Sequence, residues 1–112
     1  MEITRSIDGD VAVLSIAGRI DFATSDAVEQ AVTAAIGAGG RRLIFDMRAV
    51  EYISSAGLRA ILIAAKQAKS AGGGLAVYGL QAGVEEVFST SGFGRIVPVV
   101  ATDAQAREKL NA

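Results

Sequence analysis

Ile3, Arg5 and Ile7 fall on one face of an alternating run, and Val11 to Ile16 is again strand-like. Asp8-Gly9-Asp10 lies between them. Asp-Gly between two such runs predicts a tight hairpin turn, because glycine accepts a positive φ. The antiparallel pair is expected to end at Ala17-Gly18, with Arg19 to Ala23 as a connector. Thr24 is then a candidate N-cap, followed by Asp26 and Glu29 in the first turn, where negative charge is favoured. Val28, Val32 and Ile36, beside Ala27, Ala31 and Ala35, give this helix one apolar face, and Gly37, Gly39 and Gly40 end it.

Leu43 to Met47 reads as a strand buried on both faces. Arg48 to Ile53 crosses to a second helix, with Val50 and Ile53 turned inward. Leu58, Ile61, Leu62, Ala65 and Ala68 recur at helical spacing, and Gly72-Gly73-Gly74 stops that helix. Leu75 to Tyr78 is a short apolar strand. A third helix places Val84, Val87 and Phe88 inward and ends at Gly92-Phe93 with the signature of a Schellman stop. Ile96 to Val100 is expected as an edge strand, the setting in which Pro98 is tolerated. Thr102 and Gln105 form a capping box for a last short helix that carries Leu110. Strands alternating with helices imply parallel pairing through right-handed crossovers. The predicted fold is therefore α/β. Its mixed sheet has an antiparallel N-terminal hairpin followed by parallel βα units.

The 112 residues fit one domain, residues 1–112, long enough to bury roughly two thirds of its unfolded surface. The apolar fraction is 51% but aromatics are only 5%, which suits alanine-rich helices packed closely on a sheet. A net charge of −1 gives no support for a nucleic-acid partner. The chain has neither cysteine nor histidine, so thiol catalysis, a Ser-His triad and histidine- or thiolate-bound metals are excluded within it. No apolar stretch has the length of a signal peptide or a membrane span, so a soluble cytoplasmic protein without stable membrane insertion is expected.

The candidate chemistry gathers where the second helix begins. A helix start carries unpartnered N–H groups and the positive end of the helix dipole. Ser54 and Ser55 stand there, and each can cap the helix or accept a phosphate. Gly57 costs about 1 kcal/mol of helix propensity, which points to a close backbone approach by a strand or a partner. Asp21 is a turn residue or a polar group on the same edge. Asp46 raises receiver-type phosphoryl or Mg²⁺ chemistry, but the hairpin supplies no acid pair and the last strand no lysine, so a structural role is expected. Arg41-Arg42 reads as a solvated strand entrance. As a nucleophile, Ser55 lacks a base: Lys66 lies two to three helical turns away. Gly72-Gly73-Gly74 follows a helix and lacks the lysine and hydroxyl of a P-loop. Neither catalytic residues nor a cofactor are assigned.

These pieces resemble a STAS domain of the bacterial anti-sigma factor antagonist type, over essentially the whole chain. The matching residues are Gly18-Arg19-Ile20-Asp21 with Thr24, Asp46-Met47 through Val50, Tyr52-Ile53-Ser54-Ser55-Ala56-Gly57-Leu58, and Val84, Val87 and Phe88 leading to Ser91-Gly92-Phe93. The resemblance implies a STAS fold with helices packed mainly on one face. It also implies a phosphoacceptor at the start of the second helix, modified by a partner kinase that is itself the anti-sigma factor. Alignment on Gly57-Leu58 puts the acceptor at Ser55, with Ser54 as its rival. Asp21, Thr24 and the loop before Ser54 are implied to face the partner, as a surface that includes Ser54, Ser55, Gly57 and Arg59. This sequence has Ser54 where the family's most familiar form has aspartate, Ala56 where a second serine often follows, and Gln81-Ala82 in place of a Ser-Pro helix start.

The function so implied is a phosphorylation-switched binding module. It would hold a serine-kinase anti-sigma factor when unmodified and so free a sigma factor, and it would let go when Ser55 is phosphorylated. A serine phosphatase would reverse the switch. Self-association through a sheet edge or helices, as a homodimer, is compatible with a domain of this size. The alternative is a STAS scaffold subunit of a lipid-trafficking or stress-sensing complex, in which both serines only cap the helix.

Overall fold

The computed structural model describes residues 1–112. Five strands and four α-helices alternate as expected: β1 (Glu2–Asp8), β2 (Val11–Ile20), α1 (Ser25–Gly37), β3 (Arg42–Ile53), α2 (Ser55–Ser70), β4 (Gly74–Tyr78), α3 (Ala82–Ser91), β5 (Val99–Val100) and α4 (Asp103–Lys109). The strands lie in sequence order across one sheet. β1 and β2 pair antiparallel through the turn at Gly9, which has φ +62°, and β2 to β5 run parallel.

Alternation along the strands assigns the two faces. Leu14, Ile16, Leu43, Phe45, Met47, Leu75 and Val77 point to one side. There they meet Val28, Val32 and Ala35 of α1, Ala60, Ile61, Ala64 and Ala68 of α2, and Val84 and Phe88 of α3. Val11, Ile44, Ala76 and Tyr78 point to the other side, where Ala106 of α4 covers them. Helices thus pack mainly on one face, and the short C-terminal helix anchors the second. No helix is long and apolar enough to cross a membrane.

Two strands are longer than their sequence pattern suggests. β2 continues through Gly18 to Ile20, and β3 through Arg48 to Ile53, so Arg19-Ile20 is not part of a connector. The cause is two irregularities in the β2–β3 ladder. Ser15 faces Asp46 and Ala17 faces Ala49; Gly18 faces Val50 and Arg19 faces Tyr52. At each step β3 spends one residue more than β2, as at a bulge. Inward positions on β3 then fall at Val50 and Ile53, both buried, with a spacing of three instead of two.

Three smaller expectations are corrected. Glu29 lies beyond the first turn of α1, whose acid there is Asp26 alone. Arg41 and Arg42 do have a convergent partner: both pair with Asp10, at 2.9 and 3.0 Å. The last strand is only Val99–Val100. Residues 93–95 form a 3₁₀ turn, Val97 is buried, and Pro98 sits just ahead of the strand, where its carbonyl accepts from Val77 N–H at 2.9 Å. Gly92 is left-handed, with φ +73°, and Phe93 packs edge-on against Phe88 with ring centres 5.3 Å apart.

Candidate functional site

The site is built on the outer ends of β2 and β3. The Ser54 N–H donates to the Ile20 carbonyl at 3.0 Å, which ties the start of α2 to the end of β2. Ser54 is extended and caps the helix: its Oγ accepts from Gly57 N–H at 3.2 Å. Gly57 is buried there. A Cβ at that position would stand 2.5 Å from the Ile20 carbonyl oxygen and 2.7 Å from Ile53 Cγ1. The close approach expected of this glycine is therefore to neighbouring strands. Ser55 follows as the first helical residue, exposed, on a backbone fixed from both sides.

Across from it, Asp21 to Thr24 forms a tight knot. The Asp21 carboxylate accepts from Ala23 N–H at 3.0 Å. Thr24 Oγ1 accepts from Asp21 N–H at 2.9 Å and donates to the Arg19 carbonyl at 2.8 Å. Thr24 sits at the N-cap position of α1, but its hydroxyl makes no bond to that helix. It shapes the preceding loop instead, which corrects the capping role. The Asp21 carbonyl accepts from Thr24 and Ser25 N–H, so α1 enters without a side-chain cap.

The folded chain brings Ser55 and Arg59 together along a groove of about 590 Å³ that Phe22, Ser25, Glu29 and Ala56 also line. Asp21, Thr24, Ser54 and Gly57 do not line it: the first two belong to the loop that carries Phe22, and the other two flank Ser55 and Ala56 along the chain. Two features escaped the sequence reading. Phe22 is 87% exposed in the loop, an unusual position for a large aromatic ring. The Arg19 guanidinium lies 4.2 Å from the centre of the Tyr52 ring while also reaching Asp21 at 3.6 Å. Arg19 and Tyr52 are register partners in the ladder. Knowing that both strands run this far would have revealed the pair.

The STAS domain family model matches residues 2–106. The chain belongs to the STAS domain family. It is 39% identical over 93 residues to BtrV of Bordetella bronchiseptica, described as an anti-sigma factor antagonist, covering 83% of this chain and 79% of that protein. It is 39% identical over 57 residues to RsfB of Mycobacterium tuberculosis, an anti-sigma-F factor antagonist, covering 51% and 47% of the two chains. The fold matches a Thermotoga maritima structure, also described as an antagonist, with a TM-score of 0.88 at 24% identity over 98% of this chain and 95% of that one. The BtrV match, at this identity and coverage, shows membership of the anti-sigma factor antagonist family, whose members are regulatory proteins and not enzymes.

A second polar cluster of this STAS domain lies on the opposite face of the sheet. Asp46, 8% exposed, accepts from Arg48 Nε at 3.0 Å, Arg48 Nη2 at 2.9 Å, Arg48 N–H at 3.1 Å and Ser15 Oγ at 3.3 Å. The Arg48 guanidinium outweighs partial burial and holds the carboxyl below its ordinary value of 3.8. Burial pushes the neighbouring Tyr78 hydroxyl upward, and Arg48 lies 5.5 Å from that ring. Gly79, with φ +76°, gives Arg48 its path: a Cβ there would run into Arg48 Cγ. No group of three acidic side chains converges to hold a metal ion.

Proposed function

We propose that this chain is a phosphorylation-switched antagonist of a serine-kinase anti-sigma factor. In its unmodified form it binds the kinase and frees a sigma factor. Phosphorylation of Ser55 releases it, and a serine phosphatase restores it. Residues 1–112 act as one domain, in the cytoplasm. The observation that carries this reading is the division of labour between adjacent serines: the Ser54 hydroxyl is committed to Gly57 N–H, whereas Ser55 is exposed at the rim. Arg59 on that rim, with Asp21 and Thr24 in the adjoining loop, belongs to the partner-facing surface.

The mechanism is electrostatic. A phosphate adds roughly −1.5 to −2 charges. In the free domain, the helix start accommodates that charge. In an interface fitted to a neutral hydroxyl it must be desolvated, and it meets the phosphates of the kinase's nucleotide. A differential penalty of about 5.5 kcal/mol moves a two-state equilibrium from 99:1 to 1:99. The fold itself need not change.

Affinity capture from the source organism with the parent, Ser55→Ala and Ser55→Glu, read by mass spectrometry for partners and phosphosites, tests the proposal. Ser55→Ala retains an ATP-binding serine kinase, and Ser55→Glu binds it at least about a hundredfold more weakly, equivalent to roughly 2.7 kcal/mol. Equal binding by all three proteins overturns the switch. A phosphosite at Ser54 alone moves the acceptor. Stable recovery of a membrane transport complex, with no phosphorylated form, establishes the scaffold reading instead.

A further inference from the structure

Arg59 stands four residues after Ser55 on α2, so the two side chains share a helix face with Cβ atoms about 6 Å apart. Both are exposed, and both line the groove beside Phe22. The molecule's ion pairs engage Arg19, Arg41, Arg42, Arg48 and Arg107, and none engages Arg59. The remaining unpaired arginines, Arg5 and Arg95, lie on β1 and in the 3₁₀ turn. A free guanidinium is thus held one turn from the exposed serine.

We propose that Arg59 is the internal counter-ion of a phosphate on Ser55, so that modification also withdraws this guanidinium from the partner-facing rim. The proposal rests on Ser55 as the phosphoacceptor and adds a second component to its regulation. A negative group four residues N-terminal to a positive one is the favourable order on a helix. The planar guanidinium fork matches phosphate oxygens better than any other side chain. The other charged residue lining the groove is Glu29, from α1, and in the loop that carries Phe22 Asp21 is engaged by Arg19. A phosphate close to dianionic outcompetes the single carboxylate of Glu29 for Arg59. The unmodified protein therefore offers its partner both a hydroxyl and a free cation. The modified one offers a phosphate whose nearest cation is already engaged.

The full chain with phosphoserine genetically encoded at position 55 tests this without any kinase. Its second phosphate ionisation is followed by phosphorus NMR across pH, beside Arg59→Gln, Arg59→Lys and Glu29→Gln forms carrying the same phosphoserine. The cation favours the dianion, so the parent titrates at lower pH than Arg59→Gln by about 0.3 unit. Arg59→Lys falls between them, Glu29→Gln titrates no higher than the parent, and the gap narrows in high salt. Coincident midpoints for the parent and Arg59→Gln, with matching amide spectra, overturn the pairing. That result leaves Ser55 standing as the acceptor. Absence of cellular phosphorylation strikes the acceptor reading instead and leaves the titration as measured.

Discussion

Two polar clusters sit on this sheet, one on each face, and they differ in what their hydrogen-bonding groups have left to give. At Asp46 the accounts are closed. Its carboxylate takes four donors, and the Gln81 side-chain amide donates to the Arg48 carbonyl at 3.0 Å. At the start of α2 they are open. Ser54 is engaged, but Ser55 and Arg59 are exposed, and Phe22 projects into solvent beside them. A saturated acid on a strand holds a structure together, whereas an unsaturated hydroxyl on a rigid backbone is available to a partner. The residue pattern points the same way: Asp46 lacks the acid pair and the lysine that receiver-type chemistry needs, whereas the serines stand at a helix start.

The sharpest way to break this contrast is to remove the rigidity beneath the open site. Gly57→Ala places a Cβ against the Ile20 carbonyl and Ile53, with backbone on one side that cannot yield cheaply. Urea unfolding is expected to show a loss of about 3 kcal/mol, together with displaced amide signals for Ser54 to Leu58. An unchanged midpoint would mean that α2 is not seated on β2 in this way.

The closed site gives a smaller and pH-dependent effect. Asp46→Asn is expected to cost about 1.5 kcal/mol at neutral pH, towards the low end for hydrogen bonds to a charged group because Arg48 is well exposed. The sign with pH follows from linkage. The folded carboxyl ionises below 3.8 and the unfolded one near it, so between the two values the unfolded chain binds more protons. The stabilisation is complete above the unfolded value and fades as pH falls through the folded one. Asp46→Asn therefore flattens the acid limb of the stability curve. Asp10, lowered chiefly by its hydrogen bond to Arg41, shares that limb and leaves a residual slope. An acid limb of undiminished steepness would show that Arg48 does not hold the charge.

Much of this architecture is legible in the sequence because the helices carry clear apolar stripes and the glycines mark their ends. Gly9, Gly72 and Gly92 all stand at positive φ where the chain reverses or a helix stops. The outer halves of β2 and β3 are not legible. There the extra residues of β3 replace a spacing of two with a spacing of three, and Gly18, Arg48 and Glu51 interrupt the apolar run. The Arg19–Tyr52 contact, and the knot that recruits Thr24 away from the α1 cap, depend on those extensions. Ser54 and Ser55 show the converse limit. The sequence places both at the helix start and the family resemblance points to Ser55 as the acceptor; the Gly57 N–H bond to Ser54 Oγ adds the local ground for separating them.

That distinction yields the smallest and most discriminating prediction. Ser54→Ala removes the cap and is expected to lose about 1 kcal/mol, whereas Ser55→Ala stays within about 0.5 kcal/mol of the parent. Ser54→Asp should match or slightly exceed parental stability, because aspartate is an equally good cap and its charge favours the helix start. All three are measured by thermal unfolding at neutral pH and low salt, the last also at high salt, where its advantage shrinks. If Ser55→Ala cost as much as Ser54→Ala, both hydroxyls would be holding the helix and the open site would not be open. If Ser54→Asp were destabilising, the space around the cap would be fitted to a neutral hydroxyl, and the replacement of aspartate by serine here would be a structural adaptation of this chain.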